Sequence, residues 1–260
     1  MEEIEKLGWV REGSGKLGSY ATIDIPSGFR FTAASGTKKM MELMGNIPGK
    51  TEQGMLAPED LSWFVIMEYD ASGYVADTDK DKLDADAIIS QIKEGQEQAN
   101  EVRKERGLEM LTIGGWAVPP QYIDKTNNLE WGLRVLGESG GESVNYLTKL
   151  LGRKGVMSVT LLCGPDELQS VLPVYQNLLN GFAFNPGQTY GEYVKGDKLA
   201  DYTLAGLITA GAGFAAVKSG LLGKLGMLFA KLGKGAILIV VAIGAGLKKL
   251  FDVMFRRSAA

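Results

Sequence analysis

Apolar residues recur with two different periods through residues 20–184 of the chain. Alternation over residues 20–25 predicts a strand, and the apolar run at residues 63–69 predicts a buried one. Apolar positions three and four residues apart predict a long helix over residues 84–106. A second helix is expected from Pro165, with a kink at Pro173. This part of the chain therefore predicts a domain that contains both helices and strands.

Short connections decide how the later strands pair. Further strands are predicted over residues 111–118, 129–137, 143–151 and 156–162, with an edge strand over 182–184. Glycine-containing connections of a few residues join the last three long strands, and such connections permit only antiparallel pairing. We therefore predict the α+β class, with an antiparallel sheet of roughly six strands flanked by helices. Residues 47–58, which are rich in proline and glycine, are expected to form a loop.

The last fifth of the chain is too apolar and too rich in glycine for an ordinary surface helix. Residues 203–217 and 235–247 carry no charged side chain, and only four lysines lie between these two runs. We interpret residues 199–251 as C-terminal apolar helices that insert into a membrane. Each run is shorter than the ~20 residues that a span usually needs. We favour a helical hairpin, and a single span near residues 235–251 stays open.

These patterns divide the chain into five segments. We expect a flexible N-terminal lead-in at residues 1–19, the α+β domain at 20–184 and a linker at 185–198. The membrane-inserting region follows at 199–251, and a basic tail at 252–260 ends the chain. The opening residues MEEIEKLGW are acidic and lack the apolar core of a signal peptide, which leaves open whether one was removed.

Charge is divided unevenly between the domain and the tail. Residues 199–260 contain eight basic and two acidic side chains, whereas residues 1–198 contain 20 basic and 29 acidic ones. Binding to nucleic acid needs a basic face for the phosphates, so the acidic domain argues against a nucleic-acid partner. The basic, apolar tail instead suits a lipid bilayer with anionic headgroups.

Histidine is absent from the sequence, and Cys163 is the only cysteine. This composition excludes histidine-based triads, histidine metal ligands, intramolecular disulfides and cysteine clusters for zinc or iron–sulfur. We expect Cys163 to be a small buried hydrophobic residue at a strand end. The sequence therefore predicts no cofactor and no metal, and a non-enzymatic protein is expected more than an enzyme.

Aspartates repeat at every second position before the long predicted helix. Asp77, Asp79 and Asp81 match the spacing in the first half of a calcium-binding loop, but Lys82 stands where such a loop requires glycine. We favour a solvated acidic loop in which Asp84 caps the helix that follows.

A cluster of aromatic residues and prolines lies at the ends of two predicted strands. Its members are Trp116, Pro119, Pro120, Tyr122 and Trp131. Such a cluster is typical of a corner in a hydrophobic core, and it is also typical of surfaces that bind a partner protein. Both interpretations stay open, and these residues are our candidates for partner binding.

The carboxylates Glu130, Glu138 and Glu142 are candidates for a second kind of chemistry. Two of them together could perform acid–base catalysis. We favour the alternative that they occupy outward-facing strand positions and protect the edge of the sheet.

Small residues recur four positions apart in the apolar region. This spacing lets helix backbones approach closely, so we expect packing between the tail helices or between the tails of several copies. The pairs are Thr209 with Gly213, Gly211 with Ala215, and Ala242 with Gly246.

Several segments between Gly8 and the tail carry a family resemblance. They include LGSYATIDIPSGFRF, WFVIMEYDASGYVADTDKDKLDADAI, NLEWGLRV, VNYLTKLLGRKGVMSVTLLC and the specific pattern G-W-x-x-P-P-x-Y at residues 115–122. These residues resemble a bacterial family of membrane-anchored proteins, domain of unknown function 2167. The resemblance implies a soluble domain outside the cytoplasm of a Gram-negative cell and supplies no catalytic residues. The order of elements also looks like the PsbP/Mog1/DcrB-type α/β/α sandwich, whose members mostly act as assembly or binding factors.

The function expected from the sequence is a membrane-anchored, non-enzymatic envelope protein that binds or scaffolds partner proteins. Its expected partners are the lipid bilayer and other envelope proteins or further copies of itself. The soluble domain is expected in the periplasm and the tail in the inner membrane. Two alternatives stay open: a carboxylate-based or Ser/Lys hydrolase at the bilayer surface, and an oligomeric membrane assembly formed through the tail.

Overall fold

The computed structural model describes residues 2–210. Its strands are β1 (Ser14–Leu17), β2 (Ala21–Asp24), β3 (Phe29–Ala33), β4 (Glu52–Pro58), β5 (Phe64–Asp70), β6 (Leu111–Ile123), β7 (Asn128–Gly137), β8 (Glu142–Leu151), β9 (Val156–Cys163) and β10 (Phe182–Phe184). Its helices are α1 (Glu2–Glu5), α2 (Ala34–Leu43), α3 (Ala85–Glu105), α4 (Leu168–Leu179) and α5 (Leu204–Ala210). The predicted α+β class is confirmed, and the apolar helices expected beyond residue 210 lie outside the described residues.

Seven strands form one antiparallel sheet in the order β3-β4-β5-β9-β8-β7-β6. The predicted meander is β7, β8 and β9, and its strands pair as neighbours in this sheet. A small antiparallel sheet in the order β1-β2-β10 joins a segment near the N-terminus to residues 182–184.

Alternate residues of the central strands face two helical layers. On one face, Val65 and Met67 of β5 share a hydrophobic cluster with α4 and the small sheet. On the other face, Phe64 and Ile66 share a cluster with α1 and α2. The remaining half of that second face, centred on β7 and β8, shares a cluster with α3 and α5. The large sheet is thus buried on both faces, which explains why its strands read as almost continuous apolar runs.

Strand β4 (Glu52–Pro58) occupies the second part of the region expected to be a loop at residues 47–58, and residues 47–51 form no helix or strand. Gly54, one of the residues that suggested a loop, packs against the ring of Phe31, and a Cβ atom at this position would lie 2.5 Å from that ring. The glycine is therefore required by close packing within the sheet and does not interrupt the strand.

Strand β6 continues through Pro119 and Pro120, where the sequence predicted that it would stop. Proline lacks a backbone N–H and is tolerated in an edge strand. β6 is an edge strand of the large sheet. Its pairing with β7 shifts register between Val118 and Gln121, which flank the two prolines. The prolines therefore also make this edge a poor template for another strand.

The N-terminal residues differ from the flexible lead-in expected at 1–19. Strand β1 pairs with β2, and Leu17 at its end is fully buried. Ile4 and Leu7 belong to the cluster beneath α2. These apolar positions sit among glycines and charged residues, so no clear period reveals them in the sequence.

Candidate functional site: the tail seat

The first residues of the apolar C-terminal segment form a helix that packs on the domain. We use the name tail seat for the acidic loop at residues 70–84, the connector at 185–203 and helix α5. Leu204, Leu207 and Ile208 of α5 are buried in one cluster with Ile88 and Ile92 of α3. Residues 204–209, which lie inside the range assigned from the sequence to membrane insertion, are therefore packed on the domain.

Asp79 satisfies the first backbone donors of α5. Its Oδ1 accepts from the N–H of Leu204 at 3.2 Å, and its Oδ2 accepts from the N–H of Ala205 at 3.4 Å. A carboxylate at a helix N-terminus also interacts favourably with the helix dipole. Asp79 therefore caps a helix more than a hundred residues later in the chain, a role that local sequence could not reveal.

The backbone of the connector is bonded directly to the acidic loop. The N–H of Tyr74 donates to the carbonyl of Lys198, and the N–H of Ala200 donates to the carbonyl of Tyr74, both at 2.8 Å. Gly73 has a φ of +108°, and a Cβ atom there would lie 2.6 Å from the carbonyl oxygen of Lys198. Glycine is thus required where the two segments meet.

Tyrosine side chains fasten the same two segments. Tyr74 of the acidic loop stacks on Tyr190 and Tyr193 of the connector, with ring centroids 4.5 and 4.2 Å apart. The hydroxyl of Tyr190 also donates to the carbonyl of Val75 at 3.0 Å. Tyr202, immediately before α5, donates to Asp70 at 2.7 Å. The linker expected at residues 185–198 is therefore an ordered part of the domain.

An ion pair holds the middle of the connector. Asp197 accepts two hydrogen bonds from the guanidinium of Arg153, at 2.7 and 3.0 Å. This bidentate pairing, together with the N–H of Val194, lowers the pKa of Asp197 to about 2. The carboxylate consequently stays charged and bonded at any physiological pH.

The predicted partner-binding residues divide between the core and the surface. Trp131 is 1% exposed and belongs to the cluster that contains α5, while Trp116 and Tyr122 are partly buried against it. Pro119 is exposed and Pro120 half-buried on the edge strand. The three aromatic residues therefore pack in the hydrophobic cluster that buries α5.

Polar contacts fix the two partly buried aromatic residues. The indole N–H of Trp116 donates to the carbonyl of Ala85 at the start of α3, at 3.2 Å. The hydroxyl of Tyr122 donates to Asp77 of the acidic loop at 3.0 Å. Both residues thus connect β6 to the elements that surround α5.

The carboxylates of the acidic loop accept hydrogen bonds from backbone N–H groups and from a side-chain hydroxyl. Asp84 caps α3 as predicted, because its carboxylate accepts from the N–H groups of Asp86 and Ala87. Asp77 and Asp79 bond Tyr122 and α5 as described above. Within residues 2–210, no group of three or more acidic or cysteine side chains is arranged to hold a metal ion.

Of the small residues proposed to pack in the membrane, only Thr209 lies in the described range. Its side chain is buried, and its hydroxyl donates to the carbonyls of Ala205 and Gly206 at 3.3 Å. The other five, Gly211, Gly213, Ala215, Ala242 and Gly246, lie outside the described residues. In the part of the chain that the structure describes, no helix has the length and hydropathy needed to cross a membrane.

The three candidate carboxylates have separate partners. Glu130 is buried and accepts from the hydroxyl of Tyr146 at 2.8 Å, and burial raises its pKa. Glu142 pairs with Arg134 at 2.7 Å, and Glu138 is exposed. Because these contacts differ, the structure does not bring the three together as an acid–base pair.

A second polar cluster, which the sequence did not reveal, crosses the middle of the large sheet. Glu52, Glu68, Ser158 and Lys149 are neighbours on β4, β5, β9 and β8, and all four are buried. We call these four residues the polar row. The side-chain nitrogen Nζ of Lys149 donates to the hydroxyl oxygen of Ser158 at 2.6 Å. The sequence signal that could have revealed this cluster was a charged residue, Glu68 or Lys149, inside each of two apolar strands.

Burial makes the charged forms in the polar row unfavourable. Desolvation, together with the nearby Glu52, raises the pKa of Glu68 to about 7. Desolvation also lowers the pKa of Lys149, against the opposing attraction of Glu68. Ser158 lies between these two groups, since it pairs with Glu68 across one strand boundary and with Lys149 across the other.

Comparison with solved structures finds weakly similar folds. Cyanobacterial PsbP (CyanoP) from Synechocystis sp. PCC 6803 has a TM-score of 0.41 at 11% identity, over 66% of this chain and 90% of that chain. PA94, a protein of unknown function from Pseudomonas aeruginosa, has a TM-score of 0.28 at 13% identity, over 68% and 99% of the two chains.

Comparison with curated proteins finds no match. The family model described as "Protein of unknown function (DUF2167)" matches residues 10–244, which span the domain, the connector and most of the apolar segment. The match covers far more than half of the chain and agrees with the resemblance found in its motifs. The chain therefore belongs to the DUF2167 family.

Proposed function

We propose that this protein is a membrane-anchored, non-enzymatic envelope protein. In this proposal the acidic domain lies in the periplasm, and the segment beyond residue 210 inserts into the inner membrane. The domain binds partner proteins, which are other envelope proteins or further copies of itself through the tail. The proposal is supported above all by the packing of α5 on the domain, because this packing fixes the position from which the apolar segment continues.

A fixed exit matters for anchoring because a freely jointed linker would let the domain turn in any direction. Here, Asp79 caps α5, and Leu204 and Leu207 of this helix are buried against the domain. The next residues are uncharged up to Val217. The domain would therefore hold one orientation relative to the bilayer, as a scaffold for neighbouring proteins requires.

Charges placed in the apolar segment test the anchoring. The variant with Ile239→Asp and Val241→Asp is expected to leave the membrane for the soluble fraction, because each aspartate costs about 2.5–3.5 kcal/mol at the centre of a spanning helix. The full-length protein should stay with the membrane through alkaline carbonate washing. Ile239→Leu with Val241→Ile is the matched control. Recovery of the unmodified protein in the soluble fraction would overturn the proposal.

Chemical crosslinking in the same membranes tests the binding part. Adducts with other envelope proteins would support scaffolding, and a ladder of multiples of the chain would support self-assembly. Detection of the monomer alone at every protein concentration would contradict both forms of binding while leaving the anchoring intact.

A second candidate function is hydrolysis of an ester or amide, and the hydrogen bond between Lys149 and Ser158 favours it. Ser158 would attack the acyl carbon while its proton passes to the neutral amine of Lys149. That proton would then go to the leaving group as its bond to the acyl carbon breaks. Water would release the acid by the same two proton transfers, which regenerate Ser158. Burial lowers the pKa of Lys149, which favours the neutral amine, and raises the pKa of Glu68, which favours its protonated form.

A serine-reactive fluorophosphonate tests this candidate. If Ser158 is a nucleophile, the full-length protein should carry a covalent adduct on Ser158, and the Lys149→Met variant should lose it. Ser170→Ala, a change at an exposed serine, is the control and should leave labelling unchanged. Absence of an adduct on Ser158 in the unmodified protein would rule out the hydrolase and would not affect the anchoring proposal.

A further inference from the structure

Two exposed large apolar side chains lie in the connector that leads to α5. The large hydrophobic residues that the structure shows exposed within residues 2–210 are Val10 (47%), Val174 (43%), Val194 (52%) and Leu199 (55%). Val10 pairs with Phe31 of β3 and Val174 lies on α4, so each is separate from the connector. Val194 and Leu199 lie in one short loop of the connector, residues 193–199, which we call the rim loop.

The rim loop is held in place, so its apolar side chains cannot fold back onto the domain. Asp197 bonds Arg153 twice and also accepts from the N–H of Val194 at 2.9 Å. Tyr193 stacks on Tyr74, and the backbone of Tyr74 donates to the carbonyl of Lys198 and accepts from the N–H of Ala200, the residue after the loop. The domain therefore presents Val194 and Leu199 to the outside on a rigid support.

The charges of the rim loop suit an anionic surface. Lys195, Lys198 and Lys154 are exposed, and the side-chain nitrogen of Lys198 also donates to the carbonyl of Ala71 at 3.3 Å. Asp197 is the acidic residue of residues 193–199, and Arg153 neutralises it. Basic side chains next to exposed apolar and tyrosine side chains are the composition of segments that lie at a membrane interface.

The position of the rim loop agrees with this composition. Leu199 precedes the first residue of α5 by five positions, so their Cα atoms are at most about 18 Å apart. Helix α5 leads directly into the uncharged residues that begin the proposed membrane segment. The rim loop therefore lies close to the start of the helix from which the tail continues.

We propose that the rim loop lies in the headgroup layer of the bilayer that the tail enters. Val194 and Leu199 contact the upper acyl chains, and Lys195 and Lys198 face the lipid phosphates. The proposal rests on the anchoring function and adds the face of the domain that touches the lipid.

Site-directed fluorescence in vesicles tests this contact. Single cysteines at Val194→Cys and Leu199→Cys in the full-length protein would carry an environment-sensitive fluorophore. Burial raises the pKa of the native Cys163 to about 12, so that thiol should stay unlabelled. The matched controls are Val10→Cys and Val174→Cys, whose native side chains have similar exposure but lie away from the tail seat.

Vesicles of phosphatidylethanolamine and phosphatidylglycerol containing a headgroup-quencher lipid give the measurement. Labels at 194 and 199 are expected to shift their emission to the blue and to be quenched, whereas labels at 10 and 174 are not. Equal quenching at all four positions, or none at 194 and 199, overturns the proposal. Failure of the protein to float with the vesicles would instead contradict the anchoring function itself.

The lysines provide an independent variant that leaves the apolar residues in place. Lys195→Glu with Lys198→Glu should reduce quenching of the label at 199 in vesicles that contain phosphatidylglycerol. The same variant should have little effect in uncharged phosphatidylcholine vesicles, because no anionic phosphate excess is present there. Quenching that is unchanged in both lipids would show that the loop does not face anionic headgroups.

Discussion

Replacing Trp131 by alanine is expected to lower the free energy of unfolding by about 3–5 kcal/mol. Trp131 is buried in the cluster that joins α3, α5 and the sheet, and the ammonium of Lys149 lies 5.8 Å from the centre of its ring. Removal of the indole leaves a cavity that the surrounding strands cannot fill. Urea unfolding of the full-length protein in mild detergent, followed by far-UV circular dichroism, measures the loss.

The same substitution separates the two roles considered for the aromatic cluster. A residue that only bound a partner would reduce partner recovery and leave the stability unchanged. Pro119→Ala is the matched control, because Pro119 belongs to the same cluster but is exposed, and its effect should stay within about 0.5 kcal/mol. If Trp131→Ala unfolds at the urea concentration of the unmodified protein, its assignment to the hydrophobic cluster that contains α5 is wrong.

Stability is expected to fall as the pH rises from about 5 to about 8, and Glu68 is the main cause. Its pKa is about 7 in the folded protein, against an ordinary value of 4.5. The folded state therefore holds a proton that the unfolded state releases, and stability decreases until the pH exceeds the folded pKa. A difference of this size corresponds to about 3 kcal/mol.

The Glu68→Gln variant should lose most of this dependence, because an amide keeps the shape of the protonated carboxyl without titrating. At about pH 8 the variant should be more stable than the unmodified protein, and near pH 5 the two should be similar. Glu138→Gln, a change at an exposed position, is the control. Lys149, whose pKa is lowered by burial, changes stability in the opposite direction at higher pH. A pH dependence that survives Glu68→Gln would assign it to other groups.

The periodic segments of the chain were sufficient to predict most of the fold. Alternation and apolar runs located β2, β5 and the strands of the meander to within about two residues, as is usual for element boundaries. Asp84 marked the start of α3 because capping is local, and the short connections allowed only antiparallel pairs. Uneven charge and the apolar C-terminal run, which need no fold to be visible, indicated a divided chain, and specific motifs such as G-W-x-x-P-P-x-Y at residues 115–122 indicated the DUF2167 resemblance.

Features that depend on distant contacts were decided only by the tertiary structure. Gly54 lies in a strand because it packs against Phe31, and Asp79 caps a helix that begins 125 residues later. Glu68 is far from Lys149 and Ser158 in sequence, and the three residues become neighbours only through pairing of three strands. Local sequence determines backbone preference and periodicity, whereas these contacts arise only when strands and loops pack together. The tail seat and the polar row could therefore not be predicted from the residues alone.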